Sequence, residues 1–319
     1  MAIYPPYAPN YTDPAFDSLM NYGSGAFLTL TSMLALFFNA VVFYVNKTKE
    51  RMGSTTVLFL ILSSSDFLYT FIRVPPIIYN LINPNVLPTV KNEPPTKIEH
   101  ITSRFGFDAA FISICAIFCL SIMRYIKLGY PMWATAHGTA TVVIAAVPMV
   151  ITALNIAIME LGAAFGVFTP FWSNTAQDLF LDGNPLIFDL WLILLPTSLS
   201  LILALATIAK LSYDQEQNTQ LKRYGMRTIL LLSGGNIAWA AQWAAMETLG
   251  VKYMFNKTTG SVKSDAVIVF FLMVFLPSLI ALYNPVVLCT RSSKMRAVLK
   301  NMFRNLGMYL RAFEYQGMN

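Results

Sequence analysis

The sequence contains seven apolar runs, and each is long enough to cross a lipid bilayer as a helix. A spanning helix needs about 20 mainly apolar residues, whereas a strand of a membrane barrel needs only about 9–11. The length of the runs therefore predicts an all-α membrane protein, with a seven-transmembrane helix bundle over residues 24–290 and an extracellular segment over residues 1–23. The predicted spans are 24–45, 55–79, 105–129, 138–160, 186–212, 226–249 and 265–290.

The composition is that of a chain dissolved in lipid. Only 12% of the 319 residues are charged, against about 25% in soluble globular proteins. The net charge of +6 would suit a nucleic-acid binder, but the basic residues lie in short segments between the apolar runs. We therefore predict contact with membrane lipid and no nucleic-acid partner. Residues 1–23 lack the apolar core of a cleavable signal peptide, so the first helix is expected to serve as the insertion signal.

The distribution of Lys and Arg predicts the orientation, because cytoplasmic loops carry an excess of these residues. With the N-terminus outside, the outer loops hold six of them, namely Lys91, Lys97, Arg104, Lys252, Lys257 and Lys263. The cytoplasmic parts hold fifteen, namely Lys47, Lys49, Arg51, Arg124, Lys127, Lys210, Lys222, Arg223, Arg227, Arg291, Lys294, Arg296, Lys300, Arg304 and Arg311. We predict a multi-pass protein of the cell membrane with an extracellular N-terminus and a cytoplasmic C-terminus.

Glycosylation sequons agree with this orientation. Asn10 and Asn256 each begin an Asn-x-Thr sequence, and both fall on the predicted outer side. These two residues are therefore predicted to carry glycans. Asn46 also begins such a sequence, but it lies at the inner end of the first run and is expected to stay unmodified.

Residues 291–319 follow the seventh run and are predicted to form a cytoplasmic amphipathic helix and a short tail. Apolar residues recur there at helical spacing, namely Met295, Val298, Leu299, Met302 and Phe303. Basic residues lie among them, namely Lys294, Arg296, Lys300 and Arg304. This pattern is typical of a helix that lies along the inner leaflet. The alternative is a disordered basic tail.

The chemistry-bearing residues do not predict an enzyme. Three cysteines, Cys115, Cys119 and Cys289, fall in apolar segments or at their inner ends, and we expect them to be buried without an outer disulfide. Cys115 and Cys119 resemble half of a metal site, but no histidine lies near them in the sequence. Only His100 and His137 occur, and no Ser-His pair or Gly-rich phosphate loop is present.

Polar residues inside membrane segments are costly and tend to be functional. Asn39 lies in the first run and Asp66 in the second, where it ends the sequence Leu62-Ser-Ser-Ser-Asp66. Arg124-Tyr125 ends the third run and is followed by Pro131, and Asn284-Pro285 lies in the seventh. Together these residues resemble the signature set of rhodopsin-like G-protein-coupled receptors, and the resemblance extends over all seven runs.

The resemblance implies a receptor that passes an extracellular chemical signal, a small molecule or a short peptide, to a heterotrimeric G protein. Arg124 and Tyr125 would engage the G protein when the sixth helix moves outward. Asn39, Ser113 and Asn284 would face Asp66, and in many members this cluster binds sodium. Oxygen ligands suit such a hard cation, yet a purely hydrogen-bonded cluster is an equal alternative. No other cofactor or metal is predicted.

Several positions depart from the family pattern. Met123 replaces the acid that usually precedes the Arg, and Leu288 replaces a Tyr of the seventh helix. The proline of the sixth helix and the outer disulfide are absent. Divergent chemosensory receptors, such as those of nematodes, often lack these features. The chain is thus expected to be a chemoreceptor, with elevated basal signalling because Met123 cannot hold Arg124.

Two positions near the outer mouth of the bundle are ligand-pocket candidates. Arg73 would pair with a carboxylate or phosphate of the ligand, or alternatively with Asp108 of the third helix. Gly106 occupies the position where amine receptors carry an Asp, which disfavours a biogenic amine. The seventh run contains no Lys, which excludes a covalent retinal.

Three further pocket candidates lie in the sixth run, namely Trp239, Gln242 and Trp243. They share one side of the predicted helix, and the alternative is that they only pack against neighbouring helices.

Two other classes with several membrane helices compete with the receptor. A transporter is expected to show internal repeats and paired broken helices, which are not visible here. A seven-helix ligand-gated channel of the insect odorant-receptor kind places its N-terminus inside. The Lys/Arg distribution and the sequons oppose that orientation.

Overall fold

The computed structural model describes residues 24–48, 53–82, 97–164, 184–213, 220–245 and 276–316. Within these ranges the chain forms nine helices and no strand. In chain order they are α1 (Ser24–Lys47), α2 (Ser54–Ile82), α3 (Lys97–Gly129), α4 (Pro131–Ala136), α5 (Gly138–Ala164), α6 (Asn184–Tyr213), α7 (Gln220–Ala245), α8 (Leu276–Arg291) and α9 (Ser293–Gln316).

Four of the described helices are long and apolar enough to cross a membrane, and their apolar segments are Thr29–Lys47, Ser54–Ile72, Asp108–Gly129 and Gly138–Ile158. α6 carries a shorter apolar segment, Leu194–Lys210. The prediction of an all-α membrane protein is confirmed over the described residues, and four of the predicted spans are helices that qualify as membrane spans. The other three spans stay predictions.

Several helices extend beyond the apolar runs that predicted them. α3 begins at Lys97, whereas the run begins at residue 105, and α7 begins at Gln220 instead of residue 226. Hydropathy marks the part of a helix that lies in lipid, and polar residues continue the same helix into water. The run therefore sets the position of the span and not the ends of the helix.

α4 is a short helix that the apolar pattern did not predict. It has six residues and begins at Pro131, whose ring presets the backbone for a first helical turn. It ends where the backbone N–H of His137 donates to the carbonyl of Trp133 at 2.8 Å. Six residues are too few for a periodic pattern to be recognised, so this helix could be found only from its proline.

α3 lies at the centre of the helix bundle, and α5 lies at its edge. Of the apolar segment of α3, 72% is buried inside the protein, against 11% for that of α5. Ile114, Ile117 and Leu120 of α3 are almost fully buried. On α5, by contrast, Val143 and Val150 are exposed, as expected for a helix that faces lipid. A central α3 can contact the functional residues of several neighbouring helices.

α9 confirms the predicted amphipathic helix, and over its described residues the alternative of a disordered tail is wrong. Met295 is buried, and Val298 and Leu299 pack against the main core. The ring of Phe303 lies 6.3 Å from that of Phe37 on α1. The basic residues of the pattern are all exposed, namely Lys294, Arg296, Lys300 and Arg304.

Candidate functional site

The buried carboxylate of Asp66 joins three helices near the middle of the bundle. The Ser113 hydroxyl of α3 donates to Asp66 Oδ1 at 2.5 Å, and Asn284 Nδ2 of α8 donates to Asp66 Oδ2 at 3.2 Å. All three side chains are at least nine-tenths buried. The contacts of Ser113 and Asn284 with Asp66 are those that the resemblance implied.

Local structure holds these residues in place. Beside Asp66, the Ser65 and Thr70 hydroxyls donate to carbonyls of their own helix, so α2 satisfies them without a partner on another helix. Asn284 precedes Pro285, which lacks a backbone N–H and cannot complete the helical bond one turn earlier. A helix that is locally short of one hydrogen bond can direct the Asn284 amide into the bundle.

The donor set fits a sodium ion only in part. Sodium would need oxygen atoms, and Asp66, Ser113 and Asn284 supply a carboxylate, a hydroxyl and an amide. In this arrangement, however, Ser113 and Asn284 present protons to the carboxylate. Asn284 would have to turn its Oδ1, a buried atom without a hydrogen-bond partner among the described residues, towards the ion. The arrangement is that of a hydrogen-bonded cluster, and the sodium site stays a prediction.

Asn39 and Asn236 add two buried amides to the polar interior. Each is 1% exposed, and the Nδ2 atom of each has no hydrogen-bond partner within the described ranges. Asn39, on α1, was expected to face Asp66, but the structure gives no hydrogen bond between them. Asn236, on α7, was missed by the sequence analysis, although the rule that singled out Asn39 applies equally to an amide in the sixth apolar run.

α7 and α8 approach each other closely beside this cluster. A Cβ atom added at Gly235 would lie 2.6 Å from Tyr283 Cδ1 and 3.7 Å from Asn284 Oδ1. The Tyr283 hydroxyl donates to the Leu231 carbonyl of α7 at 3.0 Å. Only glycine leaves room for the tyrosine ring at this point, and the ring in turn ties α8 to α7.

At the predicted inner end of α3, Met123 occupies a position surrounded by donors. The Ser54 and Thr55 hydroxyls of α2 lie 3.2 Å and 3.4 Å from its sulfur. Lys127 Nζ donates to Ser54 Oγ at 3.4 Å. Arg124, the next residue, is partly buried, and its Nε has no hydrogen-bond partner among the described residues. No carboxylate holds Arg124 in this part of the structure, which agrees with the sequence.

Tyr125 is linked to α6 through Tyr130. The two hydroxyls are 3.4 Å apart, and Lys210 Nζ of α6 lies 3.3 Å from the centre of the Tyr130 ring. The hydrogen bond with Tyr125, and then the charge of Lys210, lower the pKa of Tyr130. Tyr125 and Arg124 thus lie side by side where α3, α4 and α6 meet.

The structure does not describe the surroundings of the remaining predicted site residues. The side chains of Arg73, Trp239, Gln242 and Trp243, and the surroundings of Gly106, lie outside what the structure describes. The glycosylation candidates Asn10 and Asn256 lie outside the described residues.

Two smaller predictions concern buried side chains. Asn46 is fully buried and its Nδ2 donates to the Val42 carbonyl at 2.8 Å, so the atom that a glycan would occupy is enclosed. The prediction that the three cysteines are buried is confirmed: Cys115, Cys119 and Cys289 are buried and unpaired. Within the described ranges no group of three His, Cys, Asp or Glu side chains could hold a metal.

The family resemblance depends on these residues and contacts alone. No protein-family model matches the chain. No curated protein matches it significantly in sequence.

Proposed function

We propose that the chain is a divergent G-protein-coupled receptor of the rhodopsin-like class, which passes an extracellular chemical signal to a heterotrimeric G protein. One observation carries this proposal: Asp66 is hydrogen-bonded to Ser113 and to Asn284, although these residues lie 47 and 218 positions away in the chain. The resemblance assigns these three residues, together with Asn39, to one cluster. The meeting of the three in space supports a seven-helix bundle of that kind.

The proposed orientation can be tested by glycosylation. With the N-terminus outside, Asn10 and Asn256 are accessible to the glycosylation machinery, whereas Asn46 is buried on the inner side. In eukaryotic cells, enzymatic removal of N-glycans is expected to increase gel mobility, and Asn10→Gln with Asn256→Gln should abolish this shift. Asn46→Gln is the control and should leave it unchanged. Retention of the shift in the double variant, or its loss in the control, would contradict the orientation.

Coupling can be tested at the exposed surface beside Arg124. Met132, in the short helix α4, is 84% exposed on the predicted cytoplasmic side. An exposed methionine two residues after Tyr130, which contacts Tyr125, suits a partner that offers an apolar pocket, because methionine adapts to irregular surfaces. A residue that anchors an interface typically contributes more than about 1 kcal/mol, so Met132→Ala should weaken G-protein coupling about five- to tenfold.

This coupling experiment needs no known ligand. Ligand-free second-messenger output is measured through several G proteins, at equal surface expression and against cells that lack the receptor. Met308→Ala is the control, since Met308 is 58% exposed on α9, whose Phe303 packs against Phe37 of α1. Equal output of the two variants would remove Met132 from the coupling surface. Ion currents without any G-protein output would favour the ligand-gated channel instead.

Basal signalling is expected to depend on Met123. An aspartate there would accept the Ser54 and Thr55 hydroxyls that now point at the sulfur, and it would carry a charge next to Arg124 and Lys127. A charge-assisted pair of this kind would stabilise the resting arrangement of Arg124. Met123→Asp should therefore lower ligand-free output severalfold. Met123→Leu, which keeps the apolar volume, should leave output unchanged, and equal output from both variants would contradict the argument.

A further inference from the structure

Three serines on three different helices form one continuous hydrogen-bonded chain inside the bundle. Ser121 Oγ of α3 lies 2.7 Å from Ser200 Oγ of α6, which lies 2.7 Å from Ser233 Oγ of α7. Their side chains are 0–1% exposed. None of the family motifs includes these residues, and the cluster around Asp66 does not involve them.

The direction of this chain follows from counting protons. Ser121 Oγ donates its single proton to the Ile117 carbonyl of its own helix at 2.9 Å. Ser121 must then accept the proton of Ser200, and Ser200 must accept that of Ser233. Every hydroxyl in the series therefore donates once, and the series ends on a backbone carbonyl of the central helix. Where each member of such a chain both donates and accepts, its hydrogen bonds strengthen one another in a low dielectric.

The two interhelical bonds differ from the bond that Thr207, another hydroxyl of α6, forms. Thr207 of α6, also fully buried, donates to the Leu203 carbonyl one turn earlier, which is the usual solution for a hydroxyl in an apolar helix. The hydroxyls of Ser200 and Ser233 instead each donate to a serine of a neighbouring helix. The same local bond remains available to Ser233 if α7 moves away, so separating the helices costs little and is reversible.

α7 is also locally weak at this point. Gly234 and Gly235 follow Ser233 directly, and glycine lowers helix stability by about 1 kcal/mol relative to alanine. Sharp changes of helix direction occur at Gly and Ser positions, and the sixth run has no proline that could supply one. The inner part of α7, from Gln220 to Ser233, can therefore change its direction where the serine chain holds it.

We propose that Ser121, Ser200 and Ser233 form a hydroxyl latch that holds α7 against α3 and α6 in the resting conformation. Opening breaks the bond from Ser233 to Ser200, together with the bond from the Tyr283 hydroxyl to the Leu231 carbonyl, and frees the inner end of α7. The latch deepens the proposed receptor function, since it is a contact that an activating signal would have to release. A signal needs only a modest difference in affinity between the two conformations to shift so weak a latch.

The size of the effect distinguishes a latch from ordinary packing. Interhelical hydrogen bonds in membranes contribute about 0.6 kcal/mol on average, which is about threefold in a population ratio. Ser233→Ala removes the bond that opening breaks and should raise the open-to-closed ratio about threefold, whereas Ser121→Ala keeps that bond and should raise the ratio less. Ser200→Ala removes the same bond to Ser233 and should also raise the ratio about threefold. Adding Ser233→Ala to Ser200→Ala should change nothing further.

The ratio is measured without a G protein, by spin-label distances in lipid nanodiscs. Labels are placed at Lys47→Cys on α1 and at Arg227→Cys near the inner end of α7, both of which are exposed, whereas the native cysteines are buried. The population at longer distance reports outward movement of α7. Ser65→Ala is the matched control, because the Ser65 hydroxyl bonds only to carbonyls of its own helix.

The outcomes separate the latch from the receptor proposal. Distances that shift by similar amounts in Ser200→Ala and Ser233→Ala, with Ser65→Ala unchanged, support the latch even if no variant signals through a G protein. In that case the receptor proposal fails and the latch stands. A Ser200→Ala protein whose distance distribution equals that of Ser65→Ala would overturn the latch. If Ser200→Ala does not fold, Ser233→Ala removes the same bond and gives the decision.

Discussion

Gly235→Ala is expected to destabilise the protein, although alanine is the better helix former. The added Cβ would lie 2.6 Å from Tyr283 Cδ1 and 2.7 Å from Cε1, closer than such atoms can approach. Either the tyrosine ring or α8 must move, and the bond from the Tyr283 hydroxyl to the Leu231 carbonyl is then lost. Overpacking of this kind costs about 1–3 kcal/mol and the lost hydrogen bond about 1 kcal/mol more, which together exceed the gain of about 1 kcal/mol from replacing a helical glycine.

The neighbouring residue provides a matched control for this change. A Cβ added at Gly234 would meet nothing within 4 Å. Gly234→Ala should therefore only add the higher helix propensity of alanine and raise thermal stability slightly. Both variants are compared by the apparent melting temperature of the purified protein in detergent. Equal melting temperatures for the two variants would contradict the close approach of α7 and α8. Tyr283→Ala in the Gly235→Ala background should relieve the clash and recover part of the loss.

The Asp66 cluster could be predicted from the sequence, whereas the serine latch could not. An ionisable residue in an apolar helix is rare enough to be noticed alone, and Asn284 next to Pro285 has a recognisable motif. A serine in an apolar helix gives no such signal, since most of them bond to their own backbone. Ser65 and Ser200 are indistinguishable by residue type, and only the packing of α6 against α3 and α7 makes one of them bond across helices.

The positions of the helices could likewise be predicted from the sequence, whereas their ends could not. The long apolar runs located the described helices correctly, because the bilayer imposes a length that no short-range preference can alter. α3 begins among polar residues at Lys97, and α4 begins at Pro131. Hydropathy detects neither feature, because it reports only long apolar segments. Asn236 was missed for another reason: it belongs to no family motif, although its burial makes it as costly as Asn39.

Asp66→Leu is expected to reduce the stability of the protein strongly, whereas Asp66→Asn should be tolerated. Leucine removes the acceptor of both Ser113 and Asn284. Ser113 can turn to a carbonyl of its own helix, but the Asn284 amide is left buried without an acceptor, at a cost of about 1–3 kcal/mol. Asparagine keeps one carbonyl oxygen for Ser113. Its new amide can donate to Asn284 Oδ1, which has no partner among the described residues.

The same variants decide between the hydrogen-bonded cluster and a sodium site. Melting temperatures are measured in sodium chloride and in choline chloride at equal ionic strength. Because Ser113 and Asn284 already donate to the carboxylate, we expect the wild-type temperature to be the same in both salts. A bound ion would instead stabilise the folded protein in proportion to the logarithm of sodium concentration above its dissociation constant. A sodium-dependent rise that Asp66→Asn abolishes would therefore refute the purely hydrogen-bonded cluster. A rise that persists in Asp66→Asn would place the ion elsewhere.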